Sequence, residues 1–531
     1  MLQRLGLALC SPLLLWLAWP EAGITPFLFI GFIPLLFAET RVSSGREWFL
    51  LSWLAMALWN VLGAWWLGHA DWIGVVATVF FNALPMAIAF MIFRYVKRKL
   101  GSRKGYIALP FLWICIEGLH KYWDFSFPWF TLGYGFAERV SWIQWYEYVG
   151  AYGGTFWVWT VNILLFHSLH SFSRHRERKA LAGQLLLISG LLVGLPVVLS
   201  YRMYTSYTEK GPRADVVVVQ PNLDTYTEKF EVSEAEQLQK FIELATPLLD
   251  DSVDFLVGPE TYLPKGIWED RFNRSASLLK LKDLCDRYPN LHIVIGATTL
   301  RHYQYENSSY TAKPMDGEDG YYDLFNTALF ITREDSIQTY HKSKLVAGAE
   351  MMPLHRYLEP WLGEYIQFRG GTSGTLGTQT QRSNFTTLDG QFTAAPIICW
   401  ESDFGEYVGG YVRKGANLLF VITNDDWWGK TQGHVQHMHY SRLRAIENRR
   451  SLARSANTGI SCFINQRGDI MQRQAYKTDA AIRMQIQANP ELTYYTRSGD
   501  IILRISWFMS GFFILYSLVY GHLRKKQSLA R

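Results

Sequence analysis

Residues 394–401 read Ala394-Ala395-Pro396-Ile397-Ile398-Cys399-Trp400-Glu401. The run stays apolar until it reaches a thiol, and an aromatic residue and an acid follow. A continuous apolar run of this length is the pattern of a strand buried on both faces. Two runs upstream end in the same way. Phe255-Leu256-Val257-Gly258-Pro259 leads to Glu260, and Ile337-Gln338-Thr339-Tyr340-His341 leads to Lys342. A carboxylate, an ammonium and a thiol, each where a strand should stop, point to acyl-transfer chemistry.

Further strands are expected at Ala214–Gln220, His292–Gly296, Thr327–Ile331 and Leu418–Thr423. Helices are expected over roughly 232–250, 275–287, 402–415 and 433–449. The alternation indicates an α/β domain, either a sandwich of two sheets or one large sheet, and periodicity does not decide which.

Taken singly, each reactive residue has a plainer reading. A cysteine after a strand is usually a small hydrophobe. Glu260 could be a surface turn residue, and Lys342 part of the solvated cluster Tyr340-His341-Lys342-Ser343-Lys344. The catalytic reading makes specific demands. A helix after Glu401 would place the thiol near a helix N-terminus, which lowers a thiol pKa. A general base at Glu260 needs partial burial. Lys342 would offer a positive charge to an oxyanion.

The flanking sequence is of another kind. Hydrophobic residues make up 49% of the 531 residues and charged residues 18%, where an average soluble protein has about 25% charged. Residues 4–20, 23–39, 48–68, 72–95, 105–121, 149–170, 181–200 and 501–521 are apolar segments, each near the ~20 residues that cross a bilayer. The first is read as an uncleaved segment, since no small-x-small cleavage site precedes Glu21. Arg504 lies near the start of the last, where it can snorkel. The expected division is therefore a membrane domain at 1–200, a soluble domain at 201–498, and a final segment with a basic tail at 499–531.

Basic residues cluster after the even-numbered segments: Arg41 and Arg46, then Arg94 to Lys104, then Arg174 to Lys179, then Arg524 to Lys526. The positive-inside rule makes these loops cytoplasmic. Both termini are then expected to be cytoplasmic, and the soluble domain, between segments seven and eight, is expected on the outer face. The net charge of +6 reflects that topology and not affinity for nucleic acid. The loop 122–148, rich in Trp and Tyr, is expected along the outer interface as an anchor or a lipid-contacting surface.

The five cysteines, Cys10, Cys115, Cys285, Cys399 and Cys462, show no CxxC pair and no metal-type spacing, so neither a disulfide framework nor a metal site is expected. Cys285 and Cys462 are expected as buried thiols.

In the soluble part, the motifs Val219-Gln220-Pro221-Asn222, Pro259-Glu260-Thr261, Tyr340-His341-Lys342 and Ile398-Cys399-Trp400-Glu401 follow one another, then Asn424-Asp425-Asp426-Trp427-Trp428-Gly429, Gln436-His437 and Arg442 to Glu447. In the membrane part stand Trp113 to Gly118, Phe127-Pro128-Trp129, Gly133-Tyr134 and Gly150-Ala151-Tyr152-Gly153. This set resembles the carbon–nitrogen hydrolase (nitrilase) superfamily, and within it the membrane-bound branch that N-acylates lipoproteins. The resemblance implies a nitrilase-like α-β-β-α sandwich beside about eight transmembrane helices. It implies Glu260 as general base, Lys342 as oxyanion stabiliser and Cys399 as nucleophile, with Glu350, Trp400 and Glu401 in support. Phe230, Trp129, Trp427 and Trp428 match positions that could contact the lipid substrate.

The implied reaction is ping-pong: a phospholipid acylates Cys399, and the α-amine of a diacylglyceryl-cysteine on an apolipoprotein then takes the acyl chain. No metal or organic cofactor is implied. Ala347-Gly348-Ala349 departs from the family's usual Pro-Phe-Gly, so the loop carrying Glu350 is expected to sit differently. The rival reading is a membrane-tethered amidohydrolase of small amides, with water as the second nucleophile.

Overall fold

The computed structural model describes residues 2–174, 179–225, 231–305, 308–315, 317, 319–354, 357 and 375–529. The chain divides into two compact units. Residues 1–68, 72–206 and 498–531 form the first, and residues 69–71 and 207–497 the second.

The first unit is helical: α1 Leu2–Ala18, α2 Ile33–Glu39, α3 Gly45–Ala64, α4 Trp72–Leu100, α5 Ser102–Leu119, α6 Tyr146–Arg174, α7 Lys179–Ser206, and the helix Ile501–Leu529. Among the described residues, five stretches, Gly45–His69, Trp72–Leu100, Tyr146–Phe172, Lys179–Ser206 and Ile501–Leu523, are long and apolar enough to cross a membrane. The other three expected segments are helical too, but shorter or more charged. Leu2–Ala18 and Thr25–Glu39 are apolar but shorter, and α5 carries Arg103, Lys104 and Glu117. Segment 23–39 is not one continuous helix. A 3-10 turn covers Thr25–Phe29 and α2 begins afresh at Ile33, each with a proline in its first two positions. Proline starts a helix readily and cannot continue one.

The aromatic stretch 122–148 also differs from expectation. Short 3-10 turns at Pro128–Phe130, Leu132–Phe136 and Val140–Trp142 turn its rings inward. Trp129 is fully buried and its ring centroid is 4.8 Å from that of Trp66. Phe130 lies 4.9 Å from Trp59 and 5.7 Å from Trp19. These rings fill the interior of the helical unit, where large aromatic surfaces stabilise most. Tyr122 and Tyr148 are the exposed members.

The second unit carries fourteen strands among the described residues: β1 Arg213–Gln220, β2 Phe255–Val257, β3 Leu263–Trp268, β4 His292–Tyr303, β5 Lys313–Pro314, β6 Tyr321–Ile331, β7 Gln338–His341, β8 Phe385–Thr386, β9 Thr393–Ile398, β10 Leu418–Thr423, β11 Ser451–Ala456, β12 Cys462–Ile464, β13 Ile470–Met471 and β14 Ala480–Gln487. They form two sheets. One runs β14-β1-β2-β4-β6-β5, with β3 beside β4 and β7 beside β6. The other runs β13-β12-β11-β10-β9-β8. Parallel pairing of β1 with β2, β2 with β4, and β10 with both β9 and β11 builds their centres. These central strands are the continuous apolar runs of the sequence, as parallel pairing between two covered faces requires.

Helices α8 Glu234–Ala245 and α9 Ala276–Arg287 cover the first sheet. Leu238, Phe241, Leu278 and Leu281 pack on Val217, Val219, Leu256 and Ile293. The alternate residues of those strands face the second sheet, where Phe255 meets Phe420 edge to face at 4.9 Å. Helices α10 Gly405–Arg413 and α11 Gln432–Asn448 pack beside β9 and β11 on the second sheet. The result is the expected α-β-β-α sandwich. Cys285 and Cys462 are both buried and free, on α9 and β12 respectively.

Candidate active site

Glu260 follows β2 and Lys342 follows β7 in one sheet, while Cys399 follows β9 in the other. The strand ends of both sheets therefore converge on one spot. Lys342 Nζ lies 2.8 Å from Glu260 Oε1 and 2.9 Å from Glu350 Oε1. Lys342 is 1% exposed and Glu260 6%, so this is a desolvated ion triplet and not a solvated cluster. Its lysine cannot be a surface residue, and both plainer readings fall away.

Glu260 is gripped further. Its Oε2 accepts the backbone N–H of Asn424 at 3.0 Å, the residue after β10. Its turn is pressed against β4 at Gly296, where a Cβ would lie 2.6 Å from the Glu260 Cα. Glycine is needed there for that approach. Thr261, next in the turn, has φ 48°. Glu350 sits on the departed loop, yet its Oε2 accepts the Val346 N–H at 2.9 Å. Gly348, at φ 84°, lets the chain curl tightly enough for that contact. The loop of Ala347-Gly348-Ala349 therefore brings Glu350 onto Lys342.

Cys399 also has φ 48°, a left-handed conformation that costs a non-glycine residue about 1–3 kcal/mol. Its carbonyl accepts from Ser402 Oγ at 2.8 Å and lies 3.3 Å from His437 Nε2. His437 Nδ1 is 2.9 Å from Asp425 Oδ1, and Arg454 holds Asp425 Oδ2 at 2.7 Å. Burial alone would raise the Asp425 carboxyl, but Arg454 and His437 outweigh it and hold it well below the usual range.

The expected acidic thiol is corrected. Only a short 3-10 turn, Cys399–Asp403, stands at the end of β9, and α10 starts at Gly405. Burial pushes the Cys399 thiol well above its ordinary value, and Glu260 and Asp425 add to this. Lys342 and a hydrogen bond with Thr423 pull the other way without reversing it. Lys342 has the opposite balance. Burial would lower it, but Glu260, Glu350 and Cys399 together hold the ammonium well above the usual lysine range. The resting cluster is thus a neutral thiol beside a charged lysine.

Glu401 is fully buried. Its carboxylate accepts Ile398 N at 3.0 Å, Ser343 N at 2.8 Å and the Tyr340 hydroxyl at 2.5 Å. One side chain therefore ties the residue before Cys399 to the residue after Lys342. Burial raises its carboxyl, with those hydrogen bonds and Lys342 opposing.

Trp400 is buried beside the thiol. Trp428, in the turn Asp425–Trp428, is buried edge-on to His437 at 5.4 Å, and Trp427 is partly exposed. Trp129 belongs to the helical unit's core. Phe230 lies outside the described residues. Sequence reasoning missed Asn326, Thr423 and the set His437, Asp425 and Arg454 as one cluster. The last was signalled only by Asp425 and His437 lying in quoted motifs.

The family model described as Carbon-nitrogen hydrolase matches residues 215–489. A second, described as Apolipoprotein N-acyltransferase N-terminal domain, matches residues 11–164. A protein of Chlorobaculum tepidum named apolipoprotein N-acyltransferase is 27% identical over 527 residues, 97% of this chain and 96% of its own. Its namesake in Geobacter metallireducens is 27% identical over 511 residues, 93% and 91% of the two chains. A solved amidase of the nitrilase superfamily from Nesterenkonia AN1 aligns with 57% of this chain and all of its own at 12% identity, with a TM-score of 0.37.

Proposed function

The chain belongs to the carbon–nitrogen hydrolase family, and from that premise we propose that it is a membrane-bound N-acyltransferase of lipoproteins. The observation that carries the reading is the buried triplet of Lys342 with Glu260 and Glu350, set beside Cys399 in a chain whose long apolar helices flank the catalytic unit. The domains are divided as the sequence suggests, 1–200, 201–498 and 499–531, with the catalytic unit on the outer face of the inner membrane. The Lys/Arg bias of the loops supports that orientation. The acyl donor is a phospholipid of the same leaflet, and the acceptor is the α-amine of a diacylglyceryl-cysteine at an apolipoprotein N-terminus.

The chemistry follows from the charges. Glu260 and Glu350 are opposed by one ammonium, so a thiolate at Cys399 would add a further buried negative charge. Moving the thiol proton to Glu260 leaves the cluster's total unchanged. Glu350 then keeps Lys342 paired while Glu260 is neutral. The Cys399 sulfur attacks the ester carbonyl. Lys342 Nζ has three hydrogens; two face the carboxylates, and the third stabilises the oxyanion. Collapse expels the lysophospholipid alkoxide, which takes the proton from Glu260, and a thioester remains. In the second half the amine attacks that thioester and gives its proton to Glu260. The C–S bond breaks, and the thiolate recovers the proton. Trp400, Glu401, Trp427, Trp428 and Phe230 are assigned supporting or lipid-contacting roles, and Trp129 a place in the membrane part.

The test is intact-mass analysis after incubation with phospholipid. One acyl chain should be gained on Cys399, released by a thioester-cleaving amine, and absent in Cys399→Ala. No adduct on folded protein, with ammonia released from simple amides, would instead make the protein an amidohydrolase.

A further inference from the structure

Asn326 lies in the middle of β6 and is 7% exposed. It touches every charged member of the triplet. Its backbone carbonyl accepts the Lys342 N–H at 2.8 Å. Its Nδ2 donates to Glu260 Oε1 at 2.8 Å and to Glu350 Oε1 at 2.9 Å. Lys342 Nζ donates to the same two oxygens. Four atoms, Lys342 Nζ, Asn326 Nδ2 and the two Oε1 atoms, therefore alternate donor and acceptor around a closed ring.

The other amide atom is the informative one. Asn326 Oδ1 is buried without a hydrogen-bond partner among the described residues. An orphaned buried acceptor is destabilising and rare in folded proteins. Nothing about Oδ1 therefore selects this orientation. The carboxylates select it, because a flipped amide would set Oδ1 against two anionic oxygens. The fold tolerates an unsatisfied acceptor in order to place a neutral, two-pronged donor between two acids.

We propose that Asn326 is a positioning residue of this acyl-transfer site, one whose amide nitrogen keeps Glu260 and Glu350 in register on Lys342 and favours Glu260 as the anion that receives the thiol proton. The inference rests on the acyltransferase reading given above. Hydrogen bonds donated to a carboxylate favour its charged form. Among the described residues, the groups that face Glu260 include Lys342 after β7, Glu350 on its loop, Cys399 after β9, the Asn424 N–H after β10 and, through Cys399, Asp425. Asn326 adds a donor without adding charge, so the pairing of both acids with Lys342 is left intact.

The test is the rate of thioester formation against pH, using phosphatidylethanolamine vesicles with a labelled acyl chain and full-length protein. Asn326→Ala should lower the maximal rate about tenfold and move the acid limb up by about one pH unit. The phospholipid KM should stay within twofold, since the residue is buried against the triplet. Asn326→Asp keeps the shape and exchanges the donor for an anionic acceptor. It should be slower still at neutral pH, and this loss cannot come from a cavity. A structural role would reduce the folded fraction and leave the limb in place. An unmoved limb in both variants, with folding confirmed by thermal melts, overturns the inference. If the wild-type protein forms no thioester at all, the underlying reading fails instead.

Discussion

At the scale of single residues, the unexpected feature is a candidate nucleophile that is hard to ionise. Burial, Glu260 and Asp425 raise the Cys399 thiol against Lys342 and Thr423. At pH 8 it should hold less thiolate than a free cysteine, whose pKa is about 8.5. Carbamidomethylation of Cys399 by iodoacetamide, followed by peptide mass spectrometry, should therefore be slow at pH 8 and still rising at pH 10. Glu260→Gln removes one of the raising causes. Its labelling curve should move to lower pH, with a rate at pH 8 about tenfold above wild type for each unit moved, even as turnover is lost. A curve that stays put or moves up would show that the Glu260 charge does not face the thiol. The sequence made the three reactive residues visible because each ends an apolar run. It could not show the balance that sets the thiol, which depends on Asp425 and Thr423 arriving from a different strand. Asn326 was hidden for the same reason. Within Asp323-Leu324-Phe325-Asn326-Thr327 it looks like any polar residue of a strand.

At the scale of elements, the two sheets are tied beside the candidate site. Glu401 joins the end of β9 to the end of β7 through Ile398 N and Ser343 N. Gln at this position keeps the volume but turns an NH2 group toward a backbone N–H. That leaves a buried donor without an acceptor, a loss of about 1–3 kcal/mol. Glu401→Gln should lower the denaturation midpoint and the thioester yield together. Tyr340→Phe removes one hydroxyl from the same carboxylate and should cost about 1 kcal/mol with most activity kept. Wild-type stability and yield in Glu401→Gln would show that the tie is not needed. The strands that carry these residues were legible where they are purely apolar, as in Val216-Val217-Val218-Val219. Strand β11 was not. Ser451-Leu452-Ala453-Arg454-Ser455-Ala456 is wholly buried, but its arginine argues against burial until Asp425 is found opposite it. Strands β4 and β6 run past their apolar cores into Thr299, Arg301, Asp323 and Tyr322, paired throughout. Period alone cannot follow a strand into its polar end.

At the scale of the whole molecule, the catalytic unit is inserted between α7 and the helix Ile501–Leu529 in sequence, so both of its ends return to membrane segments. Such a tether holds an enzyme near lipid substrates at high effective concentration. It helps only if the unit lies on the side where those substrates are. Hydropathy made the long spans legible, but it is blind to the prolines at which residues 23–39 divide into two helical pieces. The charge bias still assigns a side. Arg94 to Lys104 should be cytoplasmic, and residues 207–497 should face outward. Two single-cysteine positions can decide the matter, introduced into a full-length chain whose exposed Cys10 is replaced by Ser. Tyr310 is 82% exposed in the catalytic unit, and Ser102 is exposed at the start of α5 beside the basic cluster. In intact spheroplasts, a membrane-impermeant maleimide should label Tyr310→Cys fully. Ser102→Cys should react only after permeabilisation. The reverse pattern would place the thiol on the cytoplasmic side, and the acceptor would then have to be modified before export. Labelling of both positions without permeabilisation would mean that the basic loop does not stay inside, and the orientation argument from Lys and Arg would fall with it.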